Sequence, residues 1–151
     1  VGGSVVQVTA QQYQTDPALA IEDNLWALLR FSNGGSGSIG ASWSAAHAHT
    51  ERGVVGTRGN VRIVEQKHLV GRLHDGTVLN HHLGDDYDWF DVFVRESRDV
   101  VERVRQGRPF AVTGEDGRRA LEVSLATLWS SQQGRPISLP LSGAAKTEDL
   151  S

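Results

Sequence analysis

Along the first third of the chain, apolar side chains recur at every second position. From Val5 to Tyr13, Val6, Val8 and Ala10 fall on one side and Gln7, Thr9 and Gln11 on the other. That is the alternation of a strand with one buried face. Glu22 to Phe31 reads as a second strand of a different kind. Leu25-Trp26-Ala27-Leu28-Leu29 is apolar throughout, so both faces of that strand need cover. A buried helical turn is the rival for so short a run; the turn chemistry of Ser32-Asn33-Gly34-Gly35 favours a strand entering a hairpin. Ser38 to Ala45 is the return strand, with Ile39, Ala41 and Trp43 on one face.

Shorter runs follow at Gly53 to Gly56 and Val61 to Glu65, joined by Thr57-Arg58-Gly59-Asn60. His68 to His74 and Thr77 to Leu83 form a further hairpin around Asp75-Gly76. The period then changes. Trp89, Phe90, Phe93, Val94, Ser97, Val100, Val101 and Val104 trace one helical face, and Gly107 and Pro109 end it. A second helix opens at Thr113, an N-cap three residues before Asp116. Leu121, Ser124, Leu125 and Leu128 form its predicted stripe; Gly134 and Pro136 stop it, and Ile137 to Leu141 is a last strand. Strands followed by helices predict an α+β fold: an open, mainly antiparallel sheet with two helices packed on one face. Residues 1–141 are expected to form a single domain and residues 142–151 a polar, disordered tail.

Composition narrows the function. The chain has 151 residues, 38% hydrophobic and 22% charged, with a formal net charge of -3, which suits a globular domain. No basic block marks a nucleic-acid surface. No apolar run approaches the roughly 20 residues of a membrane-spanning helix. There is no Cys, hence no disulfide framework and no thiolate metal site, and a cytoplasmic location is expected. The chain has no Met and starts at Val1, which predicts a piece of a longer protein.

Three stretches carry candidate chemistry. Gly35-Ser36-Gly37-Ser38-Ile39-Gly40 has the spacing of a dinucleotide loop, but that chemistry needs a helix after the glycines to face the pyrophosphate, and here a strand follows. His47-Ala48-His49 with Glu51 has a metal-like spacing, since residues two apart on a strand share a face. A cupin-like binding module with a metal on His47 and His49 is therefore an alternative. The missing further ligands favour a solvated loop instead. Asp85-Asp86-Tyr87-Asp88-Trp89 could grip a sugar by hydrogen bonds and stacking, or could cap and staple the helix it precedes. His68, His74, His81 and His82 read as solvated surface.

The run from Phe110 to Leu141 carries a resemblance. Its cap, Gly114-Glu115-Asp116-Gly117, a helix holding Ser130-Ser131, then Gly134-Arg135-Pro136 and a strand ending in Leu139-Pro140-Leu141 resemble the end of a Gfo/Idh/MocA oxidoreductase. Glu22-Asp23-Asn24, Phe31-Ser32-Asn33-Gly34, Ser42-Trp43 and Gly56-Thr57-Arg58-Gly59 extend the likeness upstream, to about residues 3–141. The resemblance implies an open sheet with helices on one side. It also implies a parent enzyme that transfers hydride between NAD or NADP and a sugar, polyol or related hydroxy compound. The family's cofactor fingerprint, its Glu-Lys-Pro lysine and its Asp-and-His catalytic segment lie before the strand that Val5 begins. This chain is thus expected to be the substrate-side and oligomerisation domain, without catalysis or cofactor of its own and without the N-terminal Rossmann domain. By the same resemblance His47, His49, Tyr87 and Trp89 approach the substrate, and homo-oligomers form through the sheet. A purely structural assembly domain is the remaining alternative.

Overall fold

A computed structural model describes residues 3–84, 88 and 90–141. The elements are β1 (Val5–Tyr13), β2 (Asn24–Phe31), β3 (Ser36–Ser42), β4 (Glu51–Gly56), β5 (Gly59–Val64), β6 (His68–Leu73), β7 (Val78–His82), α1 (Phe90–Gln106), α2 (Gly114–Gln133) and β8 (Ile137–Ser138). The α+β class with antiparallel pairing is what the structure shows. The strands are divided between two four-stranded sheets rather than joined in one. The chain likewise forms two compact units, Val1–Ala46 with Val112–Ser151, and His47–Ala111.

The first unit holds the sheet β3-β2-β1-β8, antiparallel at every pairing. Its register resolves the doubly apolar strand β2. Ala27 lies between Ala10 of β1 and Ile39 of β3, so Leu25, Ala27 and Leu29 share a face with Val8 and Ala10. That face meets α2: Val8, Ala10, Ala27, Ala126 and Ile137 form the buried core, with Leu25, Leu29, Val123 and Trp129 packed around it. Complete burial of Val8 alone contributes about 2 kcal/mol from the area removed from water. Trp26 and Leu28 point the other way, 61% and 65% exposed.

Helix α2 starts and stops as its sequence requires. The Thr113 hydroxyl accepts from Asp116 N–H, and the Asp116 carboxylate accepts from Thr113 N–H at 2.8 Å. Gly134 ends the helix at φ 62°. The stripe that turns inward differs from the leucine stripe. Leu121 and Ser124 are exposed, while Ala126, Thr127 and Ser130 are buried. The reason is close approach: small side chains let the helix backbone come down onto β1, and hydroxyls satisfy backbone groups there. Strand β8 pairs with β1 only at Gln7 and Val8. Beyond that point the edge of β1 would be bare. Ala10 N–H donates to Ser130 Oγ at 2.9 Å, and Gln12 N–H donates to Ser131 Oγ at 2.9 Å. Ser130 in turn donates to the Arg135 carbonyl at 2.8 Å. One hydroxyl therefore joins strand, helix and the turn after the helix.

The second unit holds the sheet β4-β5-β6-β7, also antiparallel throughout. Register sorts its faces. Val54, Val61 and Leu79 share one face with Ile63, Leu69 and His81; Glu51, Arg62, His68, Asn80 and His82 share the other. The β4–β5 turn needs Gly59, at φ 136°, where a Cβ would collide with the Arg72 carbonyl oxygen. Asp75-Gly76 makes the β6–β7 hairpin, with Gly76 at φ 91°. Helix α1 carries the predicted apolar residues Phe90, Phe93, Val94, Val100, Val101 and Val104, and all of them are exposed; it buries none of its residues. The core of the described chain therefore lies wholly in the first unit.

Candidate functional site

The most elaborate polar cluster lies in the first unit, where β2 begins. Asp23 and Asn24 are 6% and 7% exposed, so their polar atoms need partners. The Asp23 carboxylate accepts Thr15 N–H at 2.7 Å, Asp16 N–H at 3.1 Å and Asn24 Nδ2–H at 2.7 Å. Asn24 Nδ2 also donates to Thr15 Oγ1 at 2.7 Å and Ser44 Oγ at 2.9 Å. Trp43 N–H donates to the Asp23 carbonyl at 2.8 Å. Two adjacent residues thus clamp the loop after β1 and the exit of β3. Burial alone would raise the Asp23 carboxyl, but the Thr15 and Asp16 amides, with Asn24 and Ser44, outweigh it and hold it below the usual carboxylate range. The clamp fixes the backbone at Trp43, whose own side chain is 87% exposed.

His47 and His49 lie in the loop between β3 and β4, not on a strand, and both are exposed. His49 Nδ1 sits 2.8 Å from Glu65 Oε1, and its Nε2 is 4.0 Å from Glu51 Oε2. A carboxylate only accepts, so Nδ1 carries a proton toward Glu65 and Nε2 is the ring nitrogen left for another partner. Glu65 and Gln66 both take left-handed backbone, φ 50° and 59°, in the β5–β6 turn. For residues with a Cβ that conformation costs about 1–2 kcal/mol each. Bonds to the His49–Thr50 segment offset it: Glu65 N–H donates to the Thr50 carbonyl at 2.8 Å, and Thr50 N–H donates to Glu65 Oε1 at 3.3 Å. Among the described residues, no three His, Asp or Glu converge as a metal site.

The other histidines divide as alternation requires. His82 faces His68, with ring centroids 5.5 Å apart, and His81 lies on the opposite side of the sheet. His68 Nε2 is 2.6 Å from Asn80 Oδ1. Tyr87 and Trp89 lie outside the described residues. Of their segment, Asp88 accepts from Phe90 N–H at 2.9 Å and so caps the start of α1. The glycine string Gly35 to Gly40 runs into β3, with Gly34 at φ 85° in the hairpin, so a strand and not a helix follows it. A cavity of about 500 Å³ in the first unit is lined by Ser4, Val5, Arg118, Glu122, Leu139 and Pro140. Arg118 there is held by Glu115 at 2.8 and 2.9 Å and by Glu122 at 3.2 Å, so it offers an anion little unpaired charge. Hydrogen bonds from Arg118, then Arg119, pull the Glu115 carboxyl down to about 2. No helix is long and apolar enough to cross a membrane among the described residues.

The class of domain is α+β, with two antiparallel four-stranded sheets and two helices among the described residues. Residues 2–139 match the oxidoreductase family, C-terminal alpha/beta domain, and the chain belongs to that Gfo/Idh/MocA family. It is similar to myo-inositol 2-dehydrogenase of Thermotoga maritima, with 29% identity over 128 residues, covering 78% of this chain and 36% of that protein. The chain thus spans about a third of the length of this relative. An oxidoreductase from Agrobacterium radiobacter, solved with NAD+, L-tartaric acid and magnesium, superposes with a TM-score of 0.76 at 18% identity, over 89% of this chain and 43% of its own. Levoglucosan dehydrogenase, solved with NADH and levoglucosan, gives a TM-score of 0.82 at 16% identity, over 91% and 46%.

Sequence reasoning passed over the clamp as a device, although Asp23 and Asn24 stood within the quoted resemblance. Its partners come from neighbouring strands: the register of β1 with β2 brings Thr15 to it, and that of β2 with β3 brings Trp43 and Ser44. A pH prediction follows from Asp23. Its folded pKa is depressed, so its contribution to stability is complete above the ordinary carboxylate range and is lost as pH falls through the folded value. Asp23→Asn is expected to lower stability at neutral pH and to flatten the acid limb of the stability curve. Denaturant melts from neutral pH down to below pH 4 check this; an unchanged acid limb contradicts it.

Proposed function

We propose that this chain is the substrate-side domain of a nicotinamide-dependent oxidoreductase acting on a sugar, polyol or related hydroxy compound. The observation that carries the reading is the family match across residues 2–139. The inositol dehydrogenase likeness and the sugar-derived ligand of levoglucosan dehydrogenase indicate the substrate class. NAD or NADP is the cofactor of the whole enzyme and is held by an N-terminal Rossmann domain. Hydride passes between that cofactor and a hydroxyl-bearing carbon of the substrate. The residues here do not transfer it. His47, His49, Tyr87 and Trp89 bind and orient the substrate, and His49 Nε2 accepts from a substrate hydroxyl while Glu65 holds its Nδ1. By itself the chain is not catalytic. The test is steady-state kinetics of the complete enzyme. His47→Ala is expected to raise KM for the polyol or sugar about tenfold with KM for the cofactor unchanged. Equal rises in both, or no rise in either, contradict the assignment.

The same reading includes self-association through the face of the β3-β2-β1-β8 sheet opposite α2. Trp26 and Leu28 are its exposed apolar residues, 61% and 65%. Their neighbours across the strands are Gln11 and Gly40, and Thr9 and Ser38, while Ile39 lies on the α2 side. A Cβ on Gly40 would lie 2.6 Å from Trp26 Cζ3, so the indole rests flat on the β3 backbone. A face that sets Trp26 and Leu28 among small and polar neighbours can be its own complement across a two-fold axis. Wild-type protein is expected to sediment as a dimer or larger at micromolar concentration, and Leu28→Glu as a monomer. A monomeric wild type, or an assembly that survives Leu28→Glu, counts against it.

A further inference from the structure

We propose that Trp43 is a substrate-stacking residue, a rigid indole platform for the apolar face of a hydroxylated ring such as a pyranose or a cyclitol. This rests on the substrate class argued above and adds a contact beyond the four residues assigned there. The argument begins with contrast. Trp43 is 87% exposed, yet the backbone that bears it is tied to two buried residues. Its N–H is bonded to the Asp23 carbonyl at 2.8 Å. The next residue, Ser44, receives Asn24 Nδ2–H at 2.9 Å, and the previous one, Ser42, pairs with Asn24 in the β2–β3 register. Asp23 and Asn24 are themselves buried. A loop that only needed to turn would not require two buried polar residues, each with several partners, to hold it.

The side chain is suited to the task. Ile39 and Ala41 lie on the α2 side of β3, and Trp43 follows the last strand residue, Ser42, in a bend that leaves its indole exposed. Ala45 and Ala46 follow it, so no bulky neighbour in sequence obstructs the ring. An indole has two side-chain torsions and loses little freedom on binding, and its face attracts the axial C–H groups of a sugar while leaving the hydroxyls to polar partners. A site of this kind, apolar platform first and few polar groups around it, fixes orientation without taking part in the chemistry.

The test uses the 151-residue chain itself. Its four tryptophans give four indole N–H signals, and the Trp43 signal is identified by its loss in Trp43→Phe. Titration with myo-inositol and with glucose is expected to move the Trp43 signal saturably, at affinities of about millimolar for so small a ligand without the rest of the enzyme. The Trp26 signal stays fixed. Saturation-transfer intensity on the ring protons of the ligand should fall at least fivefold in Trp43→Ala and be partly kept in Trp43→Phe, which still offers a flat face. Asp23→Asn, which loosens the clamp, should lower it less. A Trp43 signal that stays put, or intensity unchanged in Trp43→Ala, overturns the proposal. So does a Trp43→Ala chain whose sedimentation changes while ligand binding does not, because that assigns the indole to a protein contact. The outcome is separable from the enzymatic reading. Ring binding at Trp43 without nicotinamide turnover in the complete enzyme would retain the platform and reject the oxidoreductase role; turnover without ring binding would do the reverse.

Discussion

The hydroxyl of Ser130 is the point on which the first unit depends. It accepts from Ala10 N–H, donates to the Arg135 carbonyl and is 1% exposed. Strand β8 is too short to protect the edge of β1 beyond Val8. An unprotected edge in the core would leave buried amides unsatisfied, each costing about 1–3 kcal/mol. Helix α2 supplies the missing acceptors with Ser130 and Ser131 and in doing so fixes its own height above the sheet. That height explains the small residues along its inner face, Ala126 and Thr127, and the outward turn of Leu121. Packing of Val8, Ala10 and Ala27 against Ala126 is possible only at this close distance.

From that anchor the consequences run outward along the register. With one face of β2 committed to α2, Trp26 and Leu28 must face away, and both stay exposed on the opposite face of the sheet. With β2 and β3 in register, Asp23 comes beside Trp43 and Asn24 beside Ser44, and the clamp closes. The clamp sets the backbone at Trp43, whose indole is exposed. In the second unit the same economy appears on a smaller scale. Left-handed backbone at Glu65 and Gln66 is offset by bonds to His49 and Thr50, so a strained turn and a candidate substrate-contacting loop hold each other in place.

Much of this was legible in the sequence where local chemistry decides. Alternation located β1; Asn33-Gly34 and Asp75-Gly76 marked their hairpins; Thr113 with Asp116 and Gly134 bounded α2. The family itself was legible in the string from Thr113 to Leu141. Legibility failed where a choice depends on residues far apart. Leu121, Leu125 and Leu128 outrank Ala126 and Thr127 in hydrophobicity, so periodicity put them innermost; Leu125 and Leu128 are half-buried and Leu121 is exposed, because the bare edge of β1 draws small and hydroxyl-bearing residues to the centre. The division into two sheets was hidden for a related reason. Each strand between Val5 and His82 carries a strand pattern, but pattern does not say where pairing stops, and none of β1, β2 and β3 pairs with β4. His47 and His49 had a strand-like spacing, and the loop between β3 and β4 removed its meaning. The left-handed turn at Glu65-Gln66 contains neither Gly nor Asn, so nothing in its composition announces it.

The central claim, that α2 protects the edge of β1 through side-chain hydroxyls, is tested most directly by amide hydrogen exchange. Ala10 and Gln12 N–H should exchange as slowly as the ladder amides of β2 in the wild-type chain. In Ser130→Ala the Ala10 amide should lose about ten- to a hundredfold of its protection, consistent with a bond worth roughly 1–3 kcal/mol, while Gln12, bonded to Ser131, changes less. Fast exchange at Ala10 in the wild type, or protection that survives Ser130→Ala, would contradict the account.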